Sequence, residues 1–104
     1  MASHSAIMPA IIAHAATGAP ILGVCNGFQI LTECGLLPGA LMRNAQLKFI
    51  CEDTAITVTN TNTRFTSRYP ANAKLIIPIA HHDGNYFADD ETLIRIENEG
   101  QVVF

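Results

Sequence analysis

A chain of 104 residues makes one small domain or part of a larger one, and at this size it buries roughly 60–70% of its unfolded surface. Charged residues are only 14% against the ~25% usual for globular domains, while 49% are apolar, so some surface is expected to be covered by further chain or by a partner. The formal charge of −3 gives no basic footprint, which argues against nucleic acid, and no uninterrupted apolar run approaches the ~18 residues of a membrane span.

Three cysteines, at 25, 34 and 51, are odd in number, lack zinc-site spacing and follow no secretory signal, so a reduced, cytoplasmic setting is expected. Met1 to Thr17 reads as a helix, capped by Ser3 or Ser5 and striped by Ile7, Met8, Ile11, Ile12 and Ala15. Pro9 is tolerated there only if the helix starts near Ala6 to Met8. Gly18 stops it, and Pro20 opens a strand Ile21–Val24 that is apolar at nearly every position. Such a strand is buried on both faces, which predicts a parallel sheet between helices.

Phe28 to Gly35 reads as the next helix, ended by Leu36-Leu37-Pro38-Gly39, and Leu41–Gln46 as a connection. Leu47–Cys51 and Ala55–Thr59 look extended, with Glu52-Asp53 as a turn or bulge between them. Asn60–Arg68 is a polar loop, and Lys74–Ala80 a strand in which Pro78 implies an edge or a bulge. His81–Asn85 is turn-rich; Asp89-Asp90-Glu91 opens a short helix Thr92–Asn98 that Gly100 breaks, and Gln101–Phe104 starts a further strand. The whole reads as one partial domain, 1–104.

Gly23-Val24-Cys25-Asn26-Gly27 carries the chemistry. An apolar strand that ends in Gly-x-Cys-x-Gly and runs straight into a helix has the form of a nucleophile elbow with cysteine as nucleophile. The flanking glycines let the backbones pass closely, and the helix start favours negative charge on the side chain. A buried structural cysteine is the commoner role by residue type; the glycine context favours catalysis for Cys25. Acyl transfer also needs an oxyanion hole and a base, and the Asn26 N–H supplies half of the first.

His4 and His14 read as ordinary helix residues. His81 or His82, with Asp83, could complete a triad, although neighbours at a strand end point to opposite sides; a loop shaping the site wall is the favoured reading. Cys34 and Cys51 read as packing residues, and Gln29 could bring an amide to the mouth of the site. A metal site at Asp89–Glu91 would need partners that the sequence does not offer, so no metal is assigned.

The segments Gly23–Glu33, Gly35–Gly39, Arg43-Asn44, Leu47–Cys51, Ile77–His81 and Gly84–Tyr86 together resemble the glutaminase subunits of phosphoribosylformylglycinamidine synthase, within the class I (triad) glutamine amidotransferases. The resemblance implies a flavodoxin-like, three-layer α/β fold with a mainly parallel sheet, cut at both ends. It makes Cys25 the nucleophile that forms a glutamyl thioester, the Asn26 N–H an oxyanion donor, and Gln29, His81 and His82 part of the glutamine pocket. The family's His-Gly-Glu-Gly is replaced here by His81-His82-Asp83-Gly84. Its Gly-Gly loop and its catalytic His and Glu have no counterpart in these residues. Ammonia would pass to a synthetase subunit that binds ATP and magnesium, so this chain needs no cofactor of its own. Two other readings stand beside this one: a non-catalytic module that self-associates, and a self-contained thiol hydrolase using His81 or His82.

Overall fold

The computed structural model describes residues 5–104. Helix α1 runs Met8–Ala16 with proline in its first turn, where a missing N–H breaks no helical bond. That is the start Pro9 required. Ser5 does not cap it: Ile7 holds the N-cap position without a side-chain bond, while the alternative cap Ser3, like His4, lies outside the described residues. Helix α2, Asn26–Glu33, begins directly after Cys25 and buries Leu31 and Thr32. It packs against strand β1, Ala40–Met42.

Strand β2, Ile50–Thr57, pairs antiparallel with β3, Lys74–His81, in a register from Ile50 opposite His81 to Thr57 opposite Lys74. Val58 extends this pairing: its N–H donates to the Ala73 carbonyl at 2.8 Å, its carbonyl accepts from the Asn72 N–H at 3.1 Å, and it is fully buried. Strand β4, Asn85–Phe87, pairs antiparallel with β1. Helix α3, Asp90–Asn98, follows, with Asp89 as its N-cap.

The expected parallel sheet is the main departure. Among the described residues both ladders are antiparallel and two-stranded, and Ile21–Val24 joins neither. A strand exists only where a neighbour's N–H and C=O groups run alongside it, and here Leu22 and Val24 are instead exposed. The expected break at Glu52-Asp53 is also absent. Both acids lie inside β2, opposite Ile79 and Pro78, and both are solvent-exposed. A ladder with open faces does not demand apolar alternation, so polar residues there need not mark a turn. Leu41 and Met42, read as the start of a connection, are instead paired in β1, opposite Tyr86 and Asn85.

Gln101–Phe104 forms no ladder, yet it is tied down. The Val103 carbonyl accepts from the Thr59 N–H at 2.8 Å, the Val102 carbonyl accepts from the Thr59 hydroxyl at 2.8 Å, and the Gly100 carbonyl accepts from Asn60 Nδ2 at 2.6 Å. Buried apolar side chains are few among the described residues: Met8, Leu31 and Val58.

Candidate active site

Cys25 sits at the hinge between the unpaired run and α2 with φ 58° and ψ −120°. That region is sparsely populated for any residue with a Cβ and costs about 1–3 kcal/mol to hold. Its support is local. The Gly27 N–H donates to the Val24 carbonyl at 2.9 Å, and the Phe28 N–H donates to the Cys25 carbonyl at 3.1 Å. Gly23 permits the close approach: a Cβ there would stand 2.9 Å from both the carbonyl carbon and the oxygen of Gly27. The thiol is exposed, and the Asn26 N–H finds no acceptor among the described residues.

In front of Cys25 lies an open cavity of about 620 Å³. Cys25, Asn26, Gln29, His81 and His82 all line it, so the structure gathers every site residue expected from the sequence around one concavity. The lining also includes Phe28, Leu41 and Tyr86, which the sequence did not single out. The Phe28 and Tyr86 rings lie 6.2 Å apart, and the Tyr86 hydroxyl donates to the Pro38 carbonyl at 2.6 Å. A second concavity, along α3, contains acidic and polar residues but neither cysteine nor histidine.

The wall opposite α2 is the end of β3 and the turn after it. The two histidines diverge, as neighbours at a strand end do. His82 packs edge-on against Phe49, with ring centroids 4.9 Å apart, while His81 turns its Nδ1 to Asn44 Oδ1 at 3.0 Å. Asp83 partners neither; its carboxylate faces Arg43 at 3.6 Å across an exposed surface. The His–Asp pairing that an internal triad requires is therefore not formed. Gln29 directs its amide along α2, donating to Glu33 at 3.3 Å.

Asn44 is the residue that sequence reading missed. It is buried, and its Nδ2 donates to the carbonyls of Lys48 at 2.7 Å and His81 at 2.8 Å. Its Oδ1 accepts from the Gly84 N–H at 2.9 Å, and its own N–H donates to the His82 carbonyl at 2.7 Å. Asn44 stands in the sequence only as part of the Arg43-Asn44 segment of the family resemblance, with no role attached; nothing local tied it to a turn some forty residues away.

A cysteine thus stands at a strained turn into a helix, beside an open cavity. The chain belongs to the family of CobB/CobQ-like glutamine amidotransferase domains, whose model matches residues 2–104. Among its relatives, the phosphoribosylformylglycinamidine synthase subunit PurQ of Novosphingobium aromaticivorans is 59% identical over 104 residues, covering 100% of this chain and 46% of that protein. The subunits of the same name from Mesorhizobium japonicum and Zymomonas mobilis are 58% and 57% identical, over 100% and 98% of this chain and 47% and 46% of theirs. A solved structure of PurLQS from Thermotoga maritima superposes with a TM-score of 0.81 at 44% identity, covering 86% of this chain and 42% of that one. The chain thus spans about half the length of the relatives it matches.

Proposed function

We propose that this chain carries the nucleophile of a glutaminase that serves phosphoribosylformylglycinamidine synthase in purine biosynthesis. The observation that carries the reading is Cys25, held at φ 58° and ψ −120° at the mouth of a cavity it shares with Asn26, Gln29, His81 and His82. The backbone at Cys25 and the close pass of Gly23 against Gly27 support a nucleophile elbow; membership of the amidotransferase family supports the flavodoxin-like, mainly parallel parent sheet. On this reading Ile21–Val24 is the strand that leads into the elbow.

The chemistry is acyl transfer in two halves. The Cys25 thiolate attacks the side-chain amide carbon of glutamine, and the carbonyl electron pair moves to oxygen, where the Asn26 N–H donates to it. Collapse breaks the C–N bond, and the nitrogen leaves as ammonia after taking up a proton. Water then cleaves the glutamyl thioester, giving glutamate and restoring the thiol. Gln29, His81 and His82 shape the pocket that holds glutamine. Proton transfer belongs to a histidine and a glutamate that the family resemblance places beyond these residues. Ammonia passes to a synthetase subunit, and ATP and magnesium act there. The three free thiols suit a reducing cytoplasm.

A diazoketone analogue of glutamine tests the pocket. It should alkylate Cys25 ahead of Cys34 and Cys51, and glutamine should protect. Labelling that is indifferent to glutamine would sink the reading. The isolated chain should hydrolyse glutamine no faster than Cys25→Ala; clear turnover would instead favour the self-contained hydrolase.

A second reading, a self-associating module without turnover, is favoured by one observation. Leu22, Val24 and Ile76 are about 70% exposed on elements with open backbone edges.

A further inference from the structure

The hydrogen bonds around Asn44 have a consequence for the chemical form of the pocket. A primary amide offers two N–H donors and an oxygen with two lone pairs. Here both donors are taken by carbonyls, those of Lys48 and His81, which can only accept. The oxygen faces the Gly84 N–H, which can only donate. The orientation of the amide is therefore fixed by its partners. The remaining contact, 3.0 Å from Asn44 Oδ1 to His81 Nδ1, joins an acceptor to a ring nitrogen. It is a hydrogen bond only if Nδ1 carries the proton.

We infer that Asn44 is a positioning residue which locks His81, a residue that lines the Cys25 cavity, in its Nδ1–H tautomer, leaving Nε2 as the ring's proton-accepting nitrogen. Two further features hold the ring. Gly84 lies against its face: a Cβ at Gly84 would collide with Cε1, Nδ1 and Nε2 of His81. The Asn44 N–H holds the His82 carbonyl at 2.7 Å, so the backbone on both sides of the ring's anchor is tied to the same residue. Asn44 itself is 4% exposed, and its bonds are shielded from water.

The ligand chemistry that suits a neutral imidazole Nε2 is an N–H donor, an ammonium or a primary amide. Glutamine carries both. This assignment deepens the glutaminase reading and rests on it for the identity of the ligand; the tautomer itself does not.

The experiment is long-range ¹H–¹⁵N correlation NMR on the full chain, labelled at histidine, at a pH where the ring is neutral. Wild type should show His81 with Nδ1 protonated and Nε2 in the unprotonated, downfield position. Asn44→Ala should lose that signature. Because that variant also removes buried bonds, Gly84→Ala provides an independent route: it pushes the ring from its seat, and the signature should again be lost while circular dichroism stays native. His81 protonated at Nε2 in the wild type overturns the proposal, as does an Nδ1–H tautomer that survives Gly84→Ala and Asn44→Ala in folded protein.

Glutamine is then added, with protection of Cys25 from iodoacetamide as the separate measure of binding. If glutamine protects Cys25 and moves the Nε2 resonance, the acceptor role stands. If it protects without moving that resonance, the acceptor role falls. If it does not protect, the glutaminase reading of this chain fails, and the ligand-free tautomer is judged on its own spectrum.

Discussion

At Gly23 the site depends on an atom that is not there. Adding a methyl group sets a carbon 2.9 Å from the Gly27 backbone and against Leu31 Cδ1. Leu31 can rotate away, but the backbone of α2's first turn cannot move without moving Cys25. Gly23→Ala is therefore expected to cost about 1–3 kcal/mol, in the range of overpacked cores, and to slow alkylation of Cys25. Thermal melts and thiol-labelling rates check both; an unchanged labelling rate in a folded variant would mean that the close pass does not set the thiol's position. The elements of the site that lie close together in sequence were legible as a motif, because Gly-x-Cys-x-Gly constrains its own backbone. Asn44 was not, because its bonds to His81 and Gly84 span 37 and 40 residues.

Helices proved more readable than strands, for a reason visible in α3. Asp89 has extended backbone, and its Oδ1 accepts from the Thr92 N–H at 2.7 Å, so the cap and its helix are encoded within four residues. The Thr92 hydroxyl and backbone N–H, and Arg95 one turn further on, hold the Asp89 carboxyl below its ordinary value of 3.8. A depressed carboxylate contributes stability above its unfolded pKa and loses it as pH falls through the folded value. The helicity of α3 should thus be constant at neutral pH and decline below about pH 4, with Asp89→Asn removing that share of the decline while keeping a capping oxygen. Circular dichroism against pH, compared between the two proteins, measures it; identical curves would show that the cap's charge does nothing. Strands carry no such local signature. Glu52-Asp53 looked like a turn because acids interrupt an apolar run, yet β2 passes straight through them with both side chains in solvent. The run Ile21–Val24 looked like a buried strand, and its pairing depends on neighbours that its own residues cannot specify.

The molecule exposes more than its mass warrants. Its accessible surface is 7784 Å², whereas a compact protein of 11.2 kDa exposes about 5,700 Å². Its radius of gyration is 14.8 Å against about 13 Å for a chain of this length. The difference in area is more than twice the ~800 Å² that each partner buries in a standard protein interface. This is what the shortage of charge in the sequence implied: Phe49, Phe65, Ile76, Phe87 and Ile94 are all more than half exposed. The isolated chain should therefore associate with itself in a concentration-dependent way. Sedimentation velocity across a dilution series should show the sedimentation coefficient rising with concentration, and a single monomeric species throughout would contradict it.

The antiparallel pair β2–β3 lies in the chain between Asn44 and His81, and its last rung places Ile50 opposite His81. With that hairpin paired, the two halves of the pocket wall already stand beside one another, so the loop Asn44 closes in reaching His81 and Gly84 costs far less entropy than a free span of 37 or 40 residues would. The wall of the Cys25 cavity is thus only as durable as the ladder beneath it: fraying at the Ile50–His81 rung would loosen the asparagine's grip on the turn.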